Sequence, residues 1–378
     1  MAEGNLQDGN AGVSEDEFLI PHKQCVEHGK FKNPWDSWQD PRFGNVLKWS
    51  CTSPNNTKLP SSKNELNENL PIEEWDKEKI SSPPKEGSMR VTWIGHATVL
   101  LQIEGFNILT DPVFSGCCAP LQVPSWMPGT RGVARFRKTP CSIEDLPEIN
   151  AVLISHNHYD HLDYNSVVQL NNRFGGELHW FVPQKLGSWF KSTGCDTVHE
   201  FDWWDEKAVE IKEGQNLRLA FTPAQHWSGR NVVLDKNKTL WGSWCLLGQH
   251  QRFYFAGDTG YCTVFKVIGQ KYGPFDLAAI PIGAYEPRWF MQYQHVDPEQ
   301  AVEIHKDIRA KKSVGIHWGT FALANEFYLE PPRKLKEALE EKNLDPGEFF
   351  VMNHGGSREI ASETSDTTER ELAGASNI

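Results

Sequence analysis

Apolar positions along this 378-residue chain change their spacing near residue 88. From there to about residue 360 they fall in short runs rich in β-branched and aromatic residues, broken by Gly, Pro, Asn and Asp. That pattern predicts strands over 91–95, 98–103, 107–110, 151–155, 178–182, 218–223, 239–247, 252–256, 277–281, 313–317 and 349–352. Between several of these runs the spacing widens to a helical period, predicting helices over 164–172, 184–193, 264–272, 298–309 and 331–342. The helix from Pro298 carries its own start signal: Asp297 as N-cap, proline in the first turn and Gln300 to complete a capping box. Strands and helices in this order predict an α+β fold, with two β-sheets packed face to face and helices outside, rather than one doubly wound sheet.

The flanks read differently. Residues 1–30 and 361–378 are polar, poor in apolar side chains and expected to be disordered tails. In the 31–87 stretch, Trp35, Trp38, Phe43, Val46, Leu47 and Trp49 alternate with Pro, Asp and Lys, and a Ser/Pro/Asn-rich linker follows from residue 52. The expected organisation is therefore a tail (1–30), an aromatic, membrane-facing segment with its linker (31–87), one catalytic domain (88–360) and a second tail (361–378).

The first eighteen residues are acidic and lack an apolar core, which argues against a signal peptide and for a protein that is not secreted. The longest apolar stretch, 275–285, holds Asp276 and Pro281 and is too short to span a bilayer. Eight scattered cysteines then read as reduced thiols. A formal charge of −12 disfavours nucleic acid as a partner. Fifteen tryptophans are roughly three times ordinary usage. About two thirds of them are expected in the core, and the remainder call for a surface explanation.

The run His156-Asn157-His158-Tyr159-Asp160-His161 directly follows the apolar stretch 151–155. Three imidazoles and a carboxylate held at a strand end make a metal-binding pattern, and the lack of cysteine favours a hydrolytic over a structural zinc site. A two-zinc site needs about six or seven ligands delivered from several strand ends. His226 after the 218–223 strand, Asp258 after 252–256 and His317 at the end of 313–317 are further candidates. Asp163 offers either a partner for a ligand imidazole or an N-cap for the helix from Tyr164. His96, read as lying on a strand, is expected to be structural.

The ordered set H-x-H-x-D-H, His, Asp, His resembles the metallo-β-lactamase superfamily, which implies an αβ/βα four-layer sandwich with two zinc ions in the cleft between its halves. Longer strings, among them Thr92-Trp93-Ile94-Gly95-His96-Ala97-Thr98 and those at 156–163, 241–244, 255–261, 281–288 and 317–321, are similar to a narrower family. That family is the N-acylphosphatidylethanolamine-hydrolysing phospholipases D, and the similarity runs from residue 33 to 356. By motif position the resemblance implies that His156, His158 and His226 hold one zinc, that Asp160, His161 and His317 hold the other, and that Asp258 bridges both. It also implies that Gln294 and His295 stand at the reacting phosphate and act with Asp258 in catalysis, with Tyr159 as a further substrate contact. A membrane-associated homodimer on internal membranes, Golgi and early endosome, is implied as well.

The implied reaction is phosphodiester hydrolysis, releasing an N-acylethanolamine and leaving phosphatidic acid. The leaving alkoxide is strongly basic, so His295 is expected to donate a proton or hydrogen bond to it. A covalent phospholipase D route would need two H-x-K-x4-D motifs; the nearest miss, His28-Gly29-Lys30 with Asp36 one residue too far, is single. Two alternatives stand: a zinc hydrolase of small phosphodiesters or lactones, and a non-catalytic lipid- or metal-binding scaffold. For a phospholipid substrate at a membrane surface, the aromatic segment 35–49 and the loop 120–136, with Leu121, Val123, Trp126, Met127 and Phe136, are the expected membrane contacts. Beside them Arg131, Arg135, Arg137 and Lys138 form a basic cluster, of which Arg131 and Arg135 are the expected contacts to lipid phosphate. Against this stands packing of the aromatics on the sandwich, with the basic residues solvated.

Overall fold

The computed structural model of the chain describes residues 26–41, 43–120, 132–230 and 234–361. Strands β1 (Val26–Glu27) and β2 (Lys30–Phe31) form a hairpin. This hairpin lies partly inside the stretch read as a tail to residue 30; the rest of that tail and residues 362–378 lie outside the described residues. Helices α1 (Phe43–Thr52), α2 (Lys63–Asn69) and α3 (Lys77–Ser81) occupy the segment read as aromatic stretch and linker.

One seven-stranded sheet is built from β3 (Ser88–Gly95), β4 (Thr98–Ile103), β5 (Phe106–Thr110) and β6 (Ala151–Leu153), then, after helix α4 (Tyr164–Phe174), from β7 (His179–Pro183) and, after α5 (Gly187–Ser192), β8 (Val198–Phe201). The second takes β9 (Glu206–Lys212), β10 (Gln215–Thr222), β11 (Ser243–Leu247) and β12 (Arg252–Phe255). It continues past α6 (Val264–Tyr272) to β13 (Leu277–Pro281), past α7 (Arg288–Met291) and α8 (Pro298–Asp307) to β14 (Ser313–Ile316), and past α9 (Glu330–Glu341) to β15 (Phe349–Phe350). The last strand, β16 (Ser357–Ala361), returns to pair with β3. Each sheet is antiparallel at one side and parallel at the other, as β5 to β8 and β12 to β15 show.

Alternation along the strands fixes the layers. Val99, Leu101 and Ile103 of β4 and Phe181 of β7 face the second sheet, whose Leu219, Phe221 and Phe253 meet them. Leu100, Val152, Trp180 and Val182 face the other way, onto a cluster shared with Val167, Leu170 and Phe190 of α4 and α5. Trp244 of β11 sits between the sheets against Phe181, Phe201 and Phe221, and its indole donates to the Ile154 carbonyl at 2.8 Å. Six cysteines among the described residues are buried thiols outside any disulfide.

Tryptophan is distributed otherwise than expected: among the described ones Trp93, Trp180, Trp203, Trp241, Trp244 and Trp318 are buried, fewer than two thirds. Trp289 is exposed, and the others are half-buried.

The two sheets meet where β6 and β12 end. Gly242 donates to the Ser155 carbonyl at 3.1 Å, and Gly257 sits at φ +60 with Ser155 against it. A methyl group on Gly257 would lie 2.5 Å from the Ser155 Cβ. Gly257→Ala is expected to destabilise the fold by about 2–4 kcal/mol, from the left-handed backbone and the overpacking together. Thermal unfolding would check this; an unchanged midpoint would show that the two strand ends can separate freely.

Candidate metal centre

The candidate ligands gather at the carboxyl ends of strands, most of them parallel, the edge at which such sheets collect their functional loops. His156 and His158 leave the end of β6, with Asp160 and His161 in the turn beyond; His226 follows β10, Asp258 follows β12, and His317 ends β14. The structure brings all seven together.

Two groups form. In the first, His158 Nδ1 lies 2.8 Å from His156 Nε2 and 3.2 Å from His226 Nε2. In the second, His161 Nε2 lies 3.2 Å from His317 Nε2, and Asp160 Oδ2 lies 3.4 and 3.5 Å from the same two nitrogens. Asp258 stands between them: Oδ2 is 3.1 Å from His161 Nε2, 3.8 Å from His226 Nε2 and 3.9 Å from His156 Nε2, while Oδ1 is 3.1 Å from His317 Nε2. Ring nitrogens this close repel unless a proton or a cation lies between them. Asp258 Oδ1 is buried with no hydrogen-bond donor, which also fits a cation. The donor set of imidazole and carboxylate without thiolate suits zinc or another borderline divalent ion.

The electrostatics point the same way. Burial alone would raise the Asp258 carboxyl, but His161, His317 and His295 hold it well below the usual range. Burial alone would lower His161, yet Asp258, Asp160 and Asp111 lift it well above its ordinary value. Three carboxylates around one imidazole, those of Asp111 and Asp258 buried and that of Asp160 half-buried, make a pocket of negative charge that favours cations.

Gln294 and His295 hang on a loop between α7 and α8 that is tied to the first group. His226 Nδ1 donates to the Gln294 carbonyl at 2.9 Å, and Trp227 Nε1 to Gln294 Oε1 at 2.7 Å. Arg288 donates to the His295 carbonyl at 2.9 Å and pairs with Asp297, the N-cap of α8. His295 Nδ1 is thereby set 3.8 Å from Asp258 Oδ2. Beside these lies a cleft of about 290 Å3, lined by His158, Tyr159, Asp160, Trp227, Arg230, Met291, Gln294, His295 and Leu323.

Other expectations change. Arg135 gives its guanidinium to the Val113 and Ser115 carbonyls and to the face of Phe321, and is not among the residues that line the cleft. Arg131 and the apolar positions 121–127 lie outside the described residues. Asp163 is the N-cap of α4, its carboxylate accepting from Ser166, and touches no ligand imidazole. His96 is not within a strand but at the tip of the hairpin between β3 and β4, at φ +54. Trp35 and its neighbours pack on the centre: Asn33 donates to the His226 carbonyl, Trp35 to that of Ala224, and Ser37 to Gln225.

Sequence reasoning missed Asp111 and Arg230. Asp111 follows β5 and receives His161 Nδ1 at 2.6 Å. Its position at a strand end, shared with Asp258, was the signal that could have found it. Arg230 lies 3.9 Å over the Tyr159 ring, presenting a cation to the cleft.

Comparison with known proteins supports this geometry. A β-lactamase superfamily domain matches residues 106–318. The chain is 41% identical to N-acyl-phosphatidylethanolamine-hydrolyzing phospholipase D 1 of Caenorhabditis elegans, over 91% of this chain and 95% of that protein. It is 30% identical to the mitochondrial N-acyl-phosphatidylethanolamine-hydrolyzing phospholipase D of Saccharomyces cerevisiae, over 89% of this chain and 76% of that one. A metallo-hydrolase from the archaeon Ignicoccus hospitalis shares the fold, with a TM-score of 0.54 and 22% identity over 72% of this chain and 98% of its own. With its two mixed sheets, its imidazole and carboxylate cluster at their meeting edge and these relatives, the chain belongs to the N-acyl-phosphatidylethanolamine-hydrolysing phospholipase D family of β-lactamase-fold metallo-hydrolases.

Proposed function

We propose that the chain is a two-zinc phosphodiesterase that cleaves N-acylphosphatidylethanolamines at a membrane surface, releasing an N-acylethanolamine and leaving phosphatidic acid. The observation that carries this is the Asp258 carboxylate set between two imidazole groups, beside an open cleft that is part apolar and part cationic. His156, His158 and His226 would hold one ion, Asp160, His161 and His317 the other, with Asp258 shared. Bound there, the ions supply a hydroxide at neutral pH and neutralise charge on the phosphoryl oxygens.

The chain's own groups orient the substrate. Trp227, Met291 and Leu323 offer apolar wall to the lipid, and Arg230 over Tyr159 faces its negative charge. Gln294, its side-chain Oε1 already held by Trp227, is fixed beside the phosphate, and His295 donates to the oxygen that leaves with the ethanolamine. His295→Ala is expected to keep its metal and to lose about 10²-fold in kcat on an alkyl diester, with a smaller loss on a nitrophenyl diester whose leaving group needs no proton. Equal losses on both substrates would remove His295 from leaving-group protonation.

No helix among the described residues is long and apolar enough to cross a membrane. Peripheral contact through exposed aromatics fits instead. Trp289, with Lys48 4.6 Å over its ring, and Trp49 stacked on Phe290 form an aromatic and basic platform where α1 meets α7. Trp289→Ala is expected to weaken binding to anionic liposomes several-fold while sparing a soluble diester; retained liposome binding would make the platform structural. Residence on internal membranes and pairing into a homodimer belong to the same proposal.

The deciding experiment is metal content per chain together with hydrolysis of an N-acylphosphatidylethanolamine in mixed micelles, following both products. Two zinc ions and both products support the reading. Two zinc ions without lipid turnover would move the function to a smaller diester or lactone, and no metal would leave a scaffold.

A further inference from the structure

His96 takes no part in the two groups of ligands assigned above, yet it is built into the second of them. Its Nε2 lies 3.0 Å from Asp160 Oδ2, closer than either of the imidazoles with which Asp160 shares that group. Its ring packs 4.0 Å from the ring of His317 and edge-on to Phe321 at 5.1 Å. The His96 carbonyl accepts the His317 backbone N–H at 2.9 Å and the Trp93 indole at 2.9 Å, while its own N–H donates to Thr320 Oγ1 at 2.8 Å. Main chain and side chain thus grip two of the three residues of the second group at once. The left-handed backbone of the hairpin tip is what turns the ring inward, and His317, at φ +62, meets it with a similar backbone.

The ring's tautomer follows from its surroundings. His96 Nδ1 is buried without a partner. A proton there would be a buried, unpaired donor, and the bare Nε2 would face the lone pairs of a carboxylate. With the proton on Nε2, the ring donates to Asp160 Oδ2, the same oxygen that faces His161 and His317, and takes up one of its lone pairs while the other stays for a cation. A ligating carboxylate held this way by an outer donor is how metal sites fix ligand orientation.

We propose that His96 is a positioning residue for the second metal: it sets how tightly the Asp160, His161 and His317 group holds its ion, without touching the His156, His158 and His226 group. The proposal rests on the two-zinc reading. Its test compares His96→Phe, which fills the ring's volume but cannot donate, with His96→Gln, whose amide can reach Asp160 as Nε2 does. Cobalt(II) is titrated into each metal-free protein and followed by its d–d absorption, with chelator competition giving the two dissociation constants. In His96→Phe the second constant should weaken about 10–100-fold and the first stay within a few-fold. His96→Gln should recover most of the loss. Should His96→Phe fail to fold, His96→Ala takes its place.

Two ions bound by the Phe variant with wild-type constants would overturn the proposal alone. A Gln variant as weak as the Phe variant would also overturn it, since that result makes His96 a ligand in its own right. A wild-type chain that binds a single ion would overturn the two-zinc reading first, and the proposal with it.

Discussion

Asp258→Asn should lower kcat/KM for phosphodiester hydrolysis by about 10³-fold or more, the equivalent of the several kcal/mol of charge stabilisation that a bound cation supplies. The reason is its place among the described ligands. His161 meets Oδ2 at 3.1 Å and His317 meets Oδ1 at 3.1 Å, while His226 and His156 approach Oδ2 as well, at 3.8 and 3.9 Å. An amide keeps the shape but replaces one of the two anionic oxygens with an N–H donor. That donor would face His317 in one orientation, or His161, His226 and His156 in the other, so at least one group loses its shared ligand. The loss should therefore appear first in metal stoichiometry, falling from two ions toward one, and then in turnover. Activity near wild type with two ions bound would refute a bridging carboxylate, and activity near wild type with one ion would place the chemistry in a single group.

Much of this centre was legible in sequence because its ligands occupy one kind of position. A residue at the end of an apolar strand is read by its neighbours: His156 by 151–155, Asp258 by 252–256, His317 by 313–316. The same logic applies to Asp111 after β5, but the Pro112 that follows it is a turn signal and masks it. His96 was hidden in a different way. The runs on both sides of it are strands, and the two-residue tip that joins them, with Gly95 pairing to Thr98, leaves little polar sequence to mark a turn.

The amino-terminal aromatic segment left two readings open for physical reasons. Trp35 alternates with Pro and Asp as an interfacial segment would, but its indole and the Asn33 amide satisfy carbonyls of the 224–226 loop, a long-range pairing that no local pattern reveals. Edge strands were the other blind spot. β9 carries Glu206, Lys207 and Glu210 on a mostly exposed strand, and β16 holds Arg358 and Glu359, so neither presents an apolar run. Charged edges of this kind discourage pairing with other chains, and the feature that protects them also hides them.

Asp111→Asn carries the second large effect, and it separates folding from metal binding. Asp111 Oδ2 accepts from His161 Nδ1 at 2.6 Å and from Ser155 Oγ at 2.5 Å, while Oδ1 accepts from the Ser155 N–H at 2.7 Å. All three donors are buried, and burial pushes the Asp111 carboxyl up while His161 and Ser155 pull it down. An asparagine has one acceptor oxygen for these three donors. If it serves the Ser155 N–H, its NH2 confronts the imidazole and the hydroxyl. If it serves His161, its NH2 confronts the backbone. Either way a buried donor is left unpaired, at a cost of about 1–3 kcal/mol, to be read as a lower unfolding midpoint of the metal-free protein. The imidazole also loses the partner that fixes its tautomer, with Nε2 presented to Asp258 and to the second group. Zinc affinity of that group should then weaken about 10–100-fold, measured by chelator competition at a temperature where the variant is folded. A variant that is less stable but binds both ions with unchanged affinity would show that Asp111 braces the strand ends alone, and that His161 keeps its orientation from Asp258 and Asp160.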